Sequence, residues 1–222
     1  MRPRQALFPL LIALAGLGLA HADIDSVYAP APPADAAFVR FLNLSGRTAS
    51  ATFERGGQVR LDAGAGASRY EIVPGGRLKI TFSGKAARPD VALEIPVRHY
   101  ATCVLGPDAR VRLLRDEADS FNLLKARLRF YNLSRCAQAS LVALTPDEVP
   151  VFTGVGQDTP AARPVNPVRT RFLARCDDQR LASPPLPAPA LRAGQRHSLF
   201  LIDAGSSVRL IEVADTTAPA AR

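Results

Sequence analysis

Chemistry in this chain of 222 residues would have to come from few side chains, because it holds three histidines and three cysteines. His21 lies in an N-terminal leader, so His99 and His197 remain, at matching places near the start of a strand in each half, where a structural role is expected. Ser198, His197 and Asp203 could be drawn together as a nucleophile, base and orienter, but neighbouring residues on a strand point to opposite faces. Cys103 sits within the apolar run Tyr100 to Leu105 and reads as a small buried hydrophobe. Covalent group transfer through Ser198 with His197, or through Cys103, is the enzymatic alternative. The sequence contains no G-x-S-x-G elbow, H-E-x-x-H or C-x-x-C pattern, and no glycine loop of the kind that cradles phosphate. It implies no metal and no cofactor.

The leader sets the compartment in which these residues work. Arg2 and Arg4 precede an apolar run from Ala6 to Ala20 that ends in Ala20-His21-Ala22, the pattern of a cleaved signal peptide spanning 1–22. No Cys at the cleavage site is available to take a lipid, and no later stretch is long and apolar enough to be a helical membrane span. A soluble exported protein is expected. In an oxidising compartment Cys136 and Cys176, each at the end of an expected strand, are the natural disulfide pair.

The formal charge is +8, and removing Arg2 and Arg4 leaves +6. Lysine occurs only at 79, 85 and 125, and the arginines lie singly within strands, as in Arg110-Val111-Arg112. Cations clustered on one face with aromatics between them, the mark of a nucleic-acid binder, are missing, so no nucleic-acid partner is expected. Solvated strand faces account for such a pattern. Attraction to acidic polysaccharide or anionic headgroups is the alternative.

Organisation is carried by a self-similarity. Ala37-Phe38-Val39-Arg40-Phe41-Leu42-Asn43-Leu44-Ser45 recurs as Ala126-Arg127-Leu128-Arg129-Phe130-Tyr131-Asn132-Leu133-Ser134, identical at six of nine positions. The ends of the halves correspond too, His99 to Cys103 with Val111-Arg112-Leu113-Leu114 against His197 to Leu201 with Val208-Arg209-Leu210-Ile211. One domain copied in tandem is the reading.

Each copy shows short alternating strands parted by turn residues, so the fold class is all-β, two tandem β-sandwich (Ig-like) domains at 23–118 and 126–213. A linker at 119–125 joins them and a disordered tail covers 214–222. Expected strands are 37–43, 48–54, 57–61, 68–72, 77–82, 91–94, 98–105 and 110–115, then 126–132, 138–144, 149–152, 167–175, 179–182, 196–202 and 207–213. Gly56-Gly57 and Gly75-Gly76 supply tight turns.

In the repeated Arg-Phe-x-Asn-Leu-Ser, alternation sets Val39 and Phe41 on one face and Arg40 on the other. Asn43 and Asn132 fall where their strands stop, and Asn can bond its own backbone two residues on. A binding pair, Arg40 with Asn43 and Arg129 with Asn132, is the sharper alternative, facing a partner or polymer. Both Asn-Leu-Ser triplets match the N-glycosylation sequon, which has meaning only in a eukaryotic secretory pathway. The Pro-rich stretches Tyr28 to Pro33 and Ser183 to Pro189 read as covers for sheet edges, with partner docking as the alternative.

Tyr28-x-Pro30-x-x-Pro33 followed by Phe38-Val39-Arg40-x-x-Asn43 resembles the start of the mature alginate O-acetylation accessory family, AlgF. Leu128-Arg129-x-x-Asn132-Leu133-Ser134 resembles its second-domain opening, and Asn166-Pro167-Val168 leading to Gly194 is similar to a later segment. The three cysteines and the prolines of 183–189 depart from that pattern. The resemblance implies a periplasmic, non-catalytic adaptor needed for polymer acetylation, whose partners are a membrane-bound O-acetyltransferase and periplasmic O-acetyltransferases. It also brings in an anionic polysaccharide as a partner, with Arg40, Asn43, Arg129, Asn132 and Asn166 as candidate contact residues. In this setting the enzymatic alternative becomes acetyl transfer through Ser198 and His197 or Cys103. A carbohydrate-binding or chaperone-like sandwich is a further alternative.

Overall fold

A computed structural model describes residues 31–64, 66–84, 90–116, 122–178 and 180–218. The expected signal peptide and its cleavage site, Tyr28 to Pro30, the first three residues of the linker and the last four residues of the chain lie outside the described residues. From Pro32 onward the chain is one compact unit.

Eight strands form the first half: β1 (Ala36–Asn43), β2 (Ala49–Phe53), β3 (Gln58–Leu61), β4 (Glu71–Pro74), β5 (Gly76–Gly84), β6 (Val91–Ile95), β7 (Tyr100–Leu105) and β8 (Val111–Asp116). Nine form the second: β9 (Ala126–Asn132), β10 (Gln138–Leu144), β11 (Val149–Gly156), β12 (Pro160–Val165), β13 (Val168–Arg169), β14 (Arg171–Cys176), β15 (Ala190–Leu191), β16 (Arg196–Ala204) and β17 (Ser207–Ala214). There is no helix among the described residues.

Sheet β4-β1-β7-β8 packs on sheet β3-β2-β5-β6, and sheet β12-β9-β16-β17 packs on β11-β10-β14. Each sandwich has its own core. In the first, Val39, Phe41, Ala101 and Cys103 meet Ala51, Ile80, Phe82 and Ile95. In the second, Leu128, Phe130, Leu199 and Leu201 meet Leu141, Phe172, Ala174 and Val155. The inner sheets have one strand order and one set of directions: β1 runs parallel to β7 and antiparallel to β4, as β9 runs parallel to β16 and antiparallel to β12.

The backs of the two inner sheets also pack on each other. Leu42, Val104 and Leu114 of the first meet Tyr131, Leu133, Phe200 and Ile202 of the second. All eight residues of β1 are therefore buried, because a sheet covered on both faces has no side left for water. Period-two alternation, which fixes a half-wet strand, fails here for that reason. It holds for β5, where Leu78, Ile80 and Phe82 are buried and their neighbours exposed.

Turn chemistry follows the glycines. Gly56 and Gly57 both take positive φ, 93° and 85°, between β2 and β3, a geometry that costs a side-chain-bearing residue dearly. At Gly75 the constraint is space, since a Cβ would lie 2.6 Å from the Val97 side chain.

Three differences from the sequence reading have physical causes. Strand β12 is missed because Pro160 and Pro164 interrupt its pattern, yet it is an edge strand, where a proline leaves no ladder bond unmade. The two residues of β15 are too short for a pattern to show. The tail is not disordered through Ala218, because Tyr70 N–H donates to Thr216 O at 2.8 Å and Ala218 N–H to Tyr70 O at 2.7 Å. The Pro-rich segment after β14 lies along that strand's edge, with Ser183 N–H to Ala174 O at 2.8 Å and Leu186 N–H to Phe172 O at 2.7 Å. It takes the place beside β14 that β6 takes beside β5.

Candidate functional site

The polar chemistry of the molecule gathers in the seam between the inner sheets. Register places Arg40 beside Thr102 and Arg129 beside Ser198, and both arginines point into the seam because their flanking residues fill the sandwich cores. Asp116 ends β8 opposite Tyr100, and Asp215 follows β17 opposite Arg196, where its N–H donates to Arg196 O at 2.9 Å.

Arg40 is fully buried. Its Nε–H donates to Thr102 Oγ1 at 2.9 Å, Nη1 to Asp215 Oδ1 at 2.6 Å, and Nη2 to Tyr131 OH at 2.9 Å and Ser198 Oγ at 2.8 Å. Its guanidinium carbon also lies 4.6 Å from the Tyr70 ring centroid and 5.0 Å from that of Phe200. Arg129 Nη1 donates to Asp215 Oδ2 at 3.2 Å. Asp116 accepts from Tyr131 OH at 2.6 Å and from Tyr70 OH at 2.9 Å. Two cations thus face two anions. Without such pairing the burial of either sign would carry a penalty of several kcal/mol, on the order of that known for buried ions.

Burial by itself would make the Arg40 guanidinium easier to deprotonate, but the Tyr131, Tyr70, Asp215 and Asp116 oxygens outweigh it and hold the cation more firmly. Arg129 behaves alike. Burial raises Tyr131 well above an ordinary phenol, against the pull of Arg40. Both tyrosines stay neutral donors.

Arg40, Asn43, Arg129 and Asn132 are at most 2% exposed, so none offers its side chain to a partner or polymer, and their reading as contact residues gives way to an interior one. The cause is the second covered face of β1 and β9. Asn43 Nδ2 donates to the Arg47, Leu61 and Asp62 carbonyls at 2.8, 3.2 and 3.0 Å, while its Oδ1 accepts from Ser45 N–H at 3.1 Å. Asn132 does the same with Cys136 O, Val155 O and Ser134 N–H. Each asparagine ties the end of its strand to the next loop. Asn166 is exposed and accepts from Lys125 Nζ.

Ser198 Oγ, fully buried, accepts from Arg40 and donates to Asp215 Oδ2 at 3.0 Å. His197 faces the other way, with Nδ1 2.7 Å from Glu212 Oε1. Asp203 binds Arg135 at 3.0 Å. No relay from nucleophile to base exists in this arrangement. Cys103 is a buried free thiol whose pKa burial pushes up to about 12, so it carries no thiolate. Cys136 and Cys176 form a disulfide with Cα atoms 5.4 Å apart. No group of three or more His, Cys, Asp or Glu among the described residues could hold a metal.

One end of the seam opens as a cleft of about 490 Å³ floored by Leu44, Leu133 and Ile202. Arg110, Arg112 and Arg209 rim it, with Arg110 paired to Asp108 at 3.2 Å and Arg112 to Asp158. Sequence reasoning missed Asp116, Asp215, Tyr70 and Thr102. The available signal was a lone arginine at the same place in two otherwise apolar strands, with an aspartate closing each final hairpin.

Fold and seam together define an all-β protein of two sandwiches fused back to back. Its sequence matches the family described as Alginate O-acetyl transferase AlgF over residues 9–195. The chain belongs to the AlgF family, which is that of alginate O-acetylation. Among solved structures, the C-terminal domain of AlgF from P. aeruginosa is 24% identical, covering 41% of this chain and 98% of that one at a TM-score of 0.34. A family CBM26 module of Eubacterium rectale Amy13K, in complex with maltoheptaose, is 8% identical over 80% of this chain and 98% of its own, with a TM-score of 0.29. A putative cell adhesion protein from Bacteroides fragilis NCTC 9343 is 8% identical over 81% and 98%, with a TM-score of 0.23. No curated protein matches the chain. No helix among the described residues is long and apolar enough to cross a membrane.

Proposed function

We propose that this chain is a non-catalytic periplasmic adaptor of exopolysaccharide O-acetylation, linking a membrane-bound O-acetyltransferase to the periplasmic acetyltransferases that modify the polymer. One observation carries the reading. The two nucleophiles singled out in the sequence, Ser198 and Cys103, are sealed inside the molecule, one tied to Arg40 and Asp215 and the other in a sandwich core. What is left to act is surface. The leader at 1–22 supports export, and family membership supports the pathway. We also read the two sandwiches, 23–118 and 126–213, as copies of one unit, supported by the repeated nine-residue motif and the matched strand order of the inner sheets.

Deleting the gene and measuring polymer acetyl content tests the role, with co-purification of the periplasmic acetyltransferase as the test of linkage. Loss of acetyl groups and retention of the partner are expected. Full acetylation without this protein overturns the reading, and an acetyl adduct on Ser198, His197 or Cys103 by mass spectrometry, after incubation with an acetyl donor, would replace the adaptor by a carrier.

Contact with an anionic polysaccharide is a second reading, and its site is the cleft at the seam. Arg209 is exposed there with no ion pair among the described residues. Binding of an oligouronate that weakens in an Arg209→Ser variant is the expected result.

A further inference from the structure

Three loops meet at the end of the second sandwich where β9 begins. The turn Asn122–Lys125 is held by Lys125 N–H to Asn122 O at 3.0 Å and Leu124 N–H to Asn122 Oδ1 at 2.9 Å. Lys125 Nζ reaches Asn166 of the loop between β12 and β13, and Gly194 N–H of the loop before β16 donates to Lys125 O at 2.9 Å. Leu123 and Leu124 stand at the tip of this end, 72% and 79% exposed, and Val168 is 44% exposed. Among the described residues, Leu123 and Leu124 are the most exposed of the large apolar side chains.

Charge at this end is mainly positive; its exposed carboxylates are Asp147 and Glu148 of the β10–β11 turn, beside Arg171 in register, with Glu148 paired to Arg175 at 3.0 Å. Residues 122–127, 163–171 and 190–196 contain Lys125, Arg127, Arg163, Arg169, Arg171, Arg192 and Arg196, and no aspartate or glutamate. Arg163, Arg169, Arg171 and Arg192 are exposed, and Arg169 and Arg192 make no ion pair among the described residues.

We propose that this end, with Leu123 and Leu124 at its tip and Lys125, Arg169, Arg171 and Arg192 around them, is a docking surface for an anionic lipid bilayer. Two adjacent, highly exposed leucines on a tight turn offer a protein partner little shape to match. A headgroup layer needs no shape match. It accepts aliphatic tips a few ångströms below its surface while cations remain at the phosphates. Each basic residue near an anionic leaflet strengthens association on the order of fivefold, and the attraction falls off within a Debye length. The surface is independent of the adaptor reading, and its test uses no acetylation.

Co-sedimentation of the full mature chain with vesicles of phosphatidylglycerol and phosphatidylethanolamine, against phosphatidylcholine alone, is the experiment. Binding to the anionic vesicles, weakening as salt rises, is expected. Leu123→Asp with Leu124→Asp, on an exposed turn, should lower partitioning at least about tenfold while leaving the thermal midpoint unchanged. Arg169→Ser with Arg192→Ser should lower it by a factor on the order of ten or more. No preference for anionic vesicles, or binding indifferent to the leucine substitutions, overturns the proposal. So does a double-leucine variant that binds vesicles normally yet fails to co-purify with the acetyltransferase, which would assign the patch to a protein.

Discussion

Cys103 shows how a residue's chemistry is set by what surrounds it. It lies on β7 with Ala101 and Leu105 on the same side, and the core of the first sandwich closes over it. Burial raises the thiol from an ordinary 9.0 to about 12. In the unfolded chain it ionises near the ordinary value. Between those two values the unfolded state therefore loses a proton that the folded state keeps, and stability falls as pH rises. The contribution is fully present below about pH 9 and shrinks by about 1.4 kcal/mol for each pH unit above it. Tyr131 and Tyr70, also raised by burial, add their own loss at higher pH. A Cys103→Ala chain should show a flatter decline in unfolding free energy between about pH 9 and 10, measured by urea titration, than the parent chain. Equal slopes would mean the thiol is not shielded. The native thiol should also resist alkylation until the chain is unfolded.

At the scale of elements, the second sandwich is stapled where the first is not. The disulfide Cys136–Cys176 joins the loop after β9 to the end of β14 and spans 40 residues. Asn132 donates to Cys136 O at 2.9 Å, so the strand end, the loop and the staple form one unit. On the chain-entropy account, a loop of this size contributes roughly 3 to 4 kcal/mol. A Cys136→Ala, Cys176→Ala chain should lose about that much in guanidinium unfolding, with the loss confined to the second sandwich. Unchanged stability under reductant would show that packing holds the loop without help. Most strands were legible because their patterns are local: β5 alternates cleanly, and Gly56-Gly57 marks the β2–β3 turn. What lay beyond reading was non-local. An arginine in a strand reads as a wet face, and only the packing of a second sheet onto β1 and β9 turns Arg40 and Arg129 inward. The asparagines that end those strands were legible as local turn formers, but not the loop carbonyls they bind.

For the whole molecule, the seam decides whether two sandwiches behave as one body. Its apolar part is modest, with Leu42, Val104 and Leu114 against Tyr131, Leu133, Phe200 and Ile202. Its ionic part runs through Asp215, which takes Arg40 on one oxygen and Arg129 and Ser198 on the other. The same segment clasps the first sandwich through Tyr70. Replacing Asp215 by alanine removes the carboxylate that the two buried guanidinium groups share. Breaking a buried pair in this way costs about 3 to 5 kcal/mol. Each sandwich core and the disulfide are untouched by the change, so the cost falls on the contact between sandwiches. Asp215→Ala should therefore split denaturant unfolding into two transitions and raise the radius of gyration in solution scattering under native conditions. Asp215→Asn, which keeps the shape and removes the charge, should move both readouts in the same direction. One unshifted transition with unchanged scattering in both variants would mean that apolar packing alone fuses the sandwiches, and that the buried charges set their register without holding them together.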